Sequence, residues 1–294
     1  MNWNVLLQQL VNGLSLGGVY ALMAVGFGLI FNVLKFSNFS HGAVVTLSAY
    51  FGFWISRRVL SSFVPTLLAT AVVGGFIAVA IERLIFRPIR RRGYPVTMLI
   101  VNSITAAMLV QQFFAVTLGS DYYTYPEFIR ETAIRVGSIT VSKIYLLMLL
   151  ISGAFLAGLS YVIRKTKVGI AIRAVSTDIS TPSLMGINVD FVISVAFFFS
   201  GVLGGVTGYL LGMSFSVDPF LGSLILKGII AAIIGGMGSI GGGVVAGLLL
   251  GAAESLLIAE IGAALTPIVI YAAIIVLLLV RPQGISGRIT DVKA

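Results

Sequence analysis

The sequence predicts an all-α, polytopic membrane helical bundle of about eight or nine transmembrane segments, some of them broken or re-entrant. Three observations lead there. First, the runs Asn4–Leu34, Val59–Ile81, Gly93–Ser120, Ile144–Ile163, Phe191–Val217, Gly228–Ala253 and Ile261–Val280 contain no Asp, Glu, Lys or Arg. Each approaches or exceeds the ~20 residues that cross ~30 Å of hydrocarbon as a helix. Second, 58% of the residues are apolar and only 10% charged, against roughly 45–50% and 25% in soluble domains. Third, the charges are gathered into short loops between the apolar runs, so the net charge of +9 speaks of membrane topology and anionic lipid, not of nucleic acid. The chain has no cysteine, which excludes disulfides and thiolate metal sites. The N-terminal MNWNVLLQQL lacks a basic region and a small-residue cleavage site, so the first span is expected to be retained. The polar stretches around 121–142 and 164–189 are too short to build a soluble domain.

In chain order, the spans fall at about 8–33, 40–56, 62–85, 94–118, 144–163 and 191–213. Lys and Arg in short loops orient them. Arg87, Arg90, Arg91 and Arg92 follow the third span, with Arg83 at its edge; Arg164, Lys165, Lys167 and Arg173 follow the fifth. The loop between them offsets Arg130 and Arg135 with Asp121, Glu127 and Glu131. This pattern places the two basic loops in the cytoplasm and the mixed loop outside.

The tail carrying Arg281, Arg288 and Lys293 should also be cytoplasmic, which requires an even number of crossings after residue 190. One long helix through 226–256 would give an odd number. IIGGMGSIGGG at 233–243 resolves the parity, because each glycine inside a helix costs about 1 kcal/mol relative to Ala. A break there, with Gly235, Gly236, Gly238 and Gly241 as its glycines, leaves segments of about 221–235 and 242–258, then a last span at 262–280. Irregular backbone at membrane depth needs protein or an aqueous cavity around it, so this break is expected in the protein interior. A second interruption, Phe36–Gly42, reads either as an ordinary turn or as the start of a half-helix. Counting back places the N-terminus outside.

Much of the glycine, 34 residues in all, recurs every fourth position: Gly13 and Gly17, Gly204, Gly208 and Gly212, Gly243, Gly247 and Gly251. Such ladders let helix backbones approach closely in lipid, either within one chain or across a subunit seam. Gly236–Gly241 matches G-x-G-x-x-G, but no βαβ unit surrounds it, and no P-loop motif occurs. Any ATP must therefore be used by another polypeptide. His41 is the single histidine and has no carboxylate beside it, a poor metal site and more often a hydrogen-bonded structural residue. Glu82, next to Arg83, is expected at the interface, and Glu254 and Glu260 within reach of water. That leaves no buried acid pair of the kind an ion pump uses. Uncharged polar groups are more numerous: Asn12, Ser15, Tyr20, Asn32, Asn102, Ser103, Thr105, Gln111 and Gln112. They can line a path for a small neutral or zwitterionic solute, or simply hydrogen-bond neighbouring helices. The candidate path set is Asn12, Tyr20, Asn38, His41, Asn102, Ser103 and Thr105.

Residues 164–190, RKTKVGIAIRAVSTDISTPSLMGINVD, are too polar to span and too patterned for a linker. Asp178 can cap a short helix with Pro182 in its first turn, a position proline suits. Gly186 would end it, with Asn188 before the next span. A short cytoplasmic helix with a basic approach is a docking element for a soluble partner, or alternatively an amphipathic turn resting on lipid.

Arg173-Ala174-Val175, Asp178 and Leu184-Met185-Gly186-Ile187-Asn188-Val189 resemble the cytoplasmic coupling loop of branched-chain amino acid ABC importer permeases. Further blocks match in order: Asn12-Gly13-Leu14 with Gly18-Val19-Tyr20-Ala21-Leu22, Asn38-Phe39-Ser40-His41-Gly42 with Ala49-Tyr50, Gly235 to Gly242, and Arg281-Pro282-Gln283-Gly284-Ile285. The resemblance covers essentially the whole chain and is greatest to the shorter, H-type permease. It departs at Thr181-Pro182, where the family often carries Ala-Ala. The resemblance implies one transmembrane permease domain over 1–294 with a coupling loop at about 164–189, in which Arg173, Asp178, Leu184, Met185, Gly186, Ile187 and Asn188 meet an ATPase. It implies a heterodimer with a second permease, two cytoplasmic ATPase subunits that bind ATP and Mg, and an extracytoplasmic solute-binding protein. The expected place is the bacterial cytoplasmic (inner) membrane, multi-pass, with no cofactor on this chain and no enzymatic chemistry. Permeases for urea, short amides and sugars share much of the pattern. A stand-alone secondary transporter or channel is the rival class, and a membrane enzyme would need a cluster of acids, His or Cys that the spans lack.

Overall fold

The structure, a computed structural model, describes residues 3–119, 121–126, 128, 133–136, 139–178, 180–281 and 284–286. Glu127, Arg130 and Glu131 of the mixed loop, and Pro282, Gln283, Arg288 and Lys293 of the tail, lie outside the described residues. Twelve α-helices account for nearly everything else: α1 (Trp3–Leu34), α2 (Ser40–Arg58), α3 (Phe63–Ile81), α4 (Arg87–Arg91), α5 (Val96–Leu118), α6 (Lys143–Lys165), α7 (Lys167–Thr177), α8 (Ser180–Leu184), α9 (Val189–Ser214), α10 (Ile225–Gly235), α11 (Ile240–Ile261) and α12 (Thr266–Val280). Glu82–Phe86 joins α3 to α4 as a π-helical turn, and Leu221–Leu224 precedes α10 as a 3₁₀ turn. Six helices are long and apolar enough to cross a membrane, with Leu221–Gly235 and Thr266–Val280 as shorter apolar helices. Adding α2 gives nine segments, and the bundle is the all-α polytopic architecture expected. The sequence reading contained no strand; the polar loop carries a small antiparallel hairpin, β1 (Ala133–Val136) paired with β2 (Ile139–Ser142).

The chain divides into two compact, interleaved units. One comprises Met1–Gly28, Ile129–Ala154 and Leu226–Ala294; the other comprises Leu29–Phe128 and Phe155–Ile225. In the first unit, the glycine ladders of α1 and α11 face each other and run antiparallel. A Cβ on Gly251 would lie 2.3 Å from the Gly17 nitrogen, one on Gly17 2.8 Å from Leu248 Cα, and one on Gly247 2.6 Å from the Ala21 nitrogen. Only hydrogen fits between these backbones. In the second unit, α9 is the central helix. Gly201 and Gly205 meet Gly74 and Thr70 of α3, while Gly204 and Gly208 meet His41 and Val45 of α2. The ladders are thus intramolecular packing surfaces, each satisfied within its own unit.

The expected helix break occurs between α10 and α11. Gly236 (φ 90°) and Gly238 (φ 91°) turn the chain in the left-handed region that glycine enters freely, and the Ser239 side chain caps α11 by accepting from the Gly242 nitrogen. Its surroundings differ from the expectation. Met237 is half exposed, and the chain after α12 returns to pair with the end of α10, Ile285 N donating to Ile234 O at 2.7 Å. Gly241 belongs to the first turn of α11, where an added Cβ meets open space; the crowding expected there falls on Gly242, against Gly235.

Irregular backbone at depth lies elsewhere, in the second unit. Residues 35–39 interrupt the chain before α2, with Phe36 and Asn38 buried. The Phe39 nitrogen donates to the Ser103 hydroxyl at 3.2 Å, seven residues into α5, or about 10 Å along it. Residues 215–224 follow α9 down beside α2, with Val217 and Leu221 buried. Here Gly222 N donates to the Thr46 hydroxyl at 2.9 Å. Buried, non-α-helical backbone therefore precedes both α2 and α10 within the protein, as the half-helix reading of Phe36–Gly42 requires.

Gly251→Ala and Gly17→Ala are expected to lower stability by about 1–3 kcal/mol through overpacking. Gly153→Ala, where the new methyl meets open space, should instead stabilise by about 0.4–1 kcal/mol. Thermal denaturation of the detergent-purified variants checks the difference in sign.

Candidate functional site

The segment from α6 to α9 is held at every joint. Thr166 caps α7, its hydroxyl accepting from the Gly169 nitrogen at 3.2 Å. The Arg173 guanidinium donates to the Ile163 carbonyl, one of the acceptors that the end of α6 leaves unpaired. Asp178 accepts from the Thr181 nitrogen at 2.9 Å and also from its hydroxyl, at the start of α8. Gly186 follows that helix with φ 80°, and Ile187 N donates back to Pro182 O at 3.0 Å. The Asn188 side chain accepts from the Phe191 nitrogen at 3.1 Å and caps α9. One short helix was expected here, and two are present: α7, amphipathic, and the five-residue α8. Leu184 and Met185 project from this anchored frame at 88% and 77% exposure. Two adjacent apolar side chains are thus exposed at the tip of an anchored segment.

The segment is tied to the bundle by charge. Arg90 bridges Asp190 Oδ1 at 2.7 Å and Glu82 Oε1 at 3.0 Å. Arg91 adds a forked pair of bonds to Asp190 Oδ2, and Arg87 approaches it at 3.3 Å. The Ser194 hydroxyl donates to Glu82 Oε2 at 2.8 Å. Glu82 is fully buried within the protein, a set of contacts that its place beside Arg83 in the sequence does not reveal. Its partners stand eight residues away and on α9, out of reach of local pattern reading. The π turn that carries it is an uncommon element often found at functional sites.

The path candidates separate into three groups. Asn38, His41 and Ser103 are buried and gather around the start of α2. Asn38 Oδ1 accepts from Ser40, His41 Nδ1 lies 3.2 Å from the Ser200 hydroxyl, and Ser103 receives the Phe39 nitrogen. Asn102 and Thr105 do not join them. Their side chains donate to the α5 carbonyls of Met98 and Val101, on the outer side of that helix. Thr105 and Gln112 are exposed, and with Asn102 and Leu109 they follow the i, i+3, i+7, i+10 spacing of one face. Asn12 and Tyr20 belong to α1. Asn12 Oδ1 is buried with no hydrogen-bond partner among the described residues, and the Tyr20 hydroxyl accepts from Lys227 Nζ at 3.1 Å. Lys227 also forms an ion pair with Glu254. The sequence reading placed a helix break between these two charges but did not bring them together as a pair. Among the described residues no three His, Cys, Asp or Glu come together as a metal site.

Residues 9–278 match the family described as branched-chain amino acid transport system / permease component. The chain belongs to this family. The high-affinity branched-chain amino acid transport system permease protein LivH of Salmonella typhimurium is 32% identical, and that of Escherichia coli K12 is 31% identical; each alignment covers 96% of this chain and 96% of the relative. BraD of Pseudomonas aeruginosa, a permease protein of the same description, is 30% identical over the same shares. No solved structure matches the chain. The branched-chain permease family thus accounts for the multi-pass architecture.

Arg90→Met would leave the Glu82 carboxylate buried without a cation and is expected to cost about 3–5 kcal/mol. The double variant Glu82→Gln, Arg90→Met should recover part of that loss, since the buried charge is gone. A double-mutant cycle by thermal denaturation in detergent measures both.

Proposed function

We propose that this chain is the membrane-spanning permease subunit of an ATP-binding-cassette importer for branched-chain or other hydrophobic amino acids. It forms half of the translocation path and works by alternating access in the bacterial cytoplasmic membrane. Its partners are a second permease subunit, two cytoplasmic ATPases that bind ATP and Mg, and an extracytoplasmic solute-binding protein. The chain itself performs no covalent chemistry. The observation that carries this reading is the anchored α7–α8 segment with Leu184 and Met185 at its tip. A push from an ATPase on that tip passes through Asn188 and Asp190 into the first turn of α9, and through Arg90 and Glu82 into the end of α3. Arg173 and Asp178 hold α7 and α8 in place for that contact, and Gly186 and Ile187 make the turn into α9.

The face of α5 bearing Asn102, Thr105 and Gln112 supports the half-path. Polar groups on the outer side of a membrane helix are costly against lipid and suit a second subunit or a hydrated path. The family relationship supports the substrate class, because the relatives are named for branched-chain amino acids.

Gly186→Val forces a β-branched residue into the left-handed region, at a cost of about 1–3 kcal/mol, with open space around the new side chain. The spans should insert normally, while ATPase co-purification and ATP-driven uptake fall several-fold. Asp178→Ala should do less, losing only a cap worth about 0.5–2 kcal/mol. Retention of both activities in Gly186→Val, or leucine uptake by the purified chain without ATPases or ATP, would overturn the reading.

A further inference from the structure

Lys227 and Glu254 are ionisable residues well inside the bundle. Lys227 stands in the first turn of α10, a short apolar helix. Glu254 stands fourteen residues beyond the start of α11, about 20 Å along it. Their side chains form an ion pair and are 28% and 12% exposed respectively. The Lys227 ammonium also lies 5.3 Å from the centre of the Tyr20 ring. The second carboxylate oxygen, Glu254 Oε2, is buried and has no hydrogen-bond partner among the described residues. Beside the pair is a cavity of about 40 Å³ lined by Ile230, Leu250, Ile270 and Tyr271 together with the two charges. It thus holds one cation, one carboxylate with an oxygen to spare, and aliphatic walls.

We propose that Lys227 and Glu254 are the recognition site for the two charged groups of an α-amino acid. Lys227 takes the ligand carboxylate, assisted by the positive end of α10. Glu254 takes the ligand ammonium, and Ile230, Leu250 and Ile270 take its aliphatic side chain. This assignment rests on the transport reading above and deepens it. The cavity has room for a water, not for an amino acid, so the ligand binds by exchanging partners with the pair: Lys–Glu becomes Lys–carboxylate and ammonium–Glu. A zwitterion adds no net charge, so no uncompensated charge is buried before or after the exchange. A solute carrying only one of the two charges would leave Lys227 or Glu254 alone, and the site selects against it. Between ligands, the Lys–Glu pair keeps both charges neutralised at a depth where an isolated one is costly.

A purely structural ion pair predicts a different outcome on neutralisation. Replacing such a pair by neutral groups of similar size is often harmless, whereas a ligand site loses its function. The test is the double variant Lys227→Met, Glu254→Gln beside wild type, each assembled with its transporter partners in proteoliposomes. We expect the double variant to insert, assemble and hydrolyse ATP, while its leucine uptake falls about 30-fold or more. A second readout uses the cysteine-free background. Leucine should slow maleimide labelling of Ile230→Cys when Lys227 and Glu254 are present, and have no effect on it in the double variant. Leucine uptake by the double variant within about threefold of wild type, or equal leucine protection in both backgrounds, would overturn the site while leaving the transport reading intact. Wild-type vesicles that take up no amino acid would overturn the transport reading and the site with it.

Discussion

A bilayer offers no hydrogen-bond partners, so every backbone donor and acceptor at depth must be satisfied by the chain itself. Continuous helices meet that demand automatically; interruptions do not. This protein has two interruptions inside its second unit, and each is repaired by a hydroxyl from a neighbouring helix. Ser103 receives the Phe39 nitrogen and Thr46 receives the Gly222 nitrogen. A short bridge between Tyr123 and Val217 pairs the chain on its way down to the second of these. The amides at these two points, Phe39 and Gly222, are thus paired although the backbone there is not α-helical. The polar residues that look in sequence like path lining, Asn38 and Ser103 among them, have this repair as their visible occupation.

Close approach of helices is the companion requirement. The four-residue glycine ladders bring α1 onto α11, and α9 onto α2 and α3, at distances that admit no side chain. With little hydrophobic drive between helices in lipid, shape complementarity of this kind carries the cohesion. It also explains why so many of the fully buried residues are small, and why the larger buried side chains, such as Tyr50, Phe86 and Tyr209, cluster in the second unit around the ends of its helices. The charged cluster at Glu82, Arg90 and Asp190 is set within that frame.

The bundle was largely legible in the sequence, because charge-free runs and basic loops are direct readouts of bilayer physics. The break at Gly236 and Gly238 was legible from parity and glycine cost together, and the cap at Asp178 from local chemistry. What escaped was non-local. The contacts of Glu82 with Arg90 and Ser194 join residues from different elements. Lys227 and Glu254 lie on either side of the expected break, and nothing in the sequence pairs them. The α7 helix escaped for another reason: its glycine and β-branched residues are poor helix formers, and the Thr166 cap with buried Gly169, Ile172 and Val175 overrides that preference. The pattern also gave no hint that Asn102 and Thr105 turn away from Ser103, since one residue of helical rotation separates inside from outside.

The facing of Gly13 and Gly17 with Gly247 and Gly251 has a consequence for how the protein is made. Helix α1 packs against α11, which is synthesised long after it. During synthesis α1 must wait in the membrane with its glycine face uncovered while almost the whole chain is threaded in after it. The stitch between Ile285 and Ile234 closes later still, once the segment after α12 has been made. The first unit is thus completed last, whereas α2, α3, α5 and α9 of the second can associate while translation continues. Chains stopped short of α11 would leave the glycine groove of α1 unpaired.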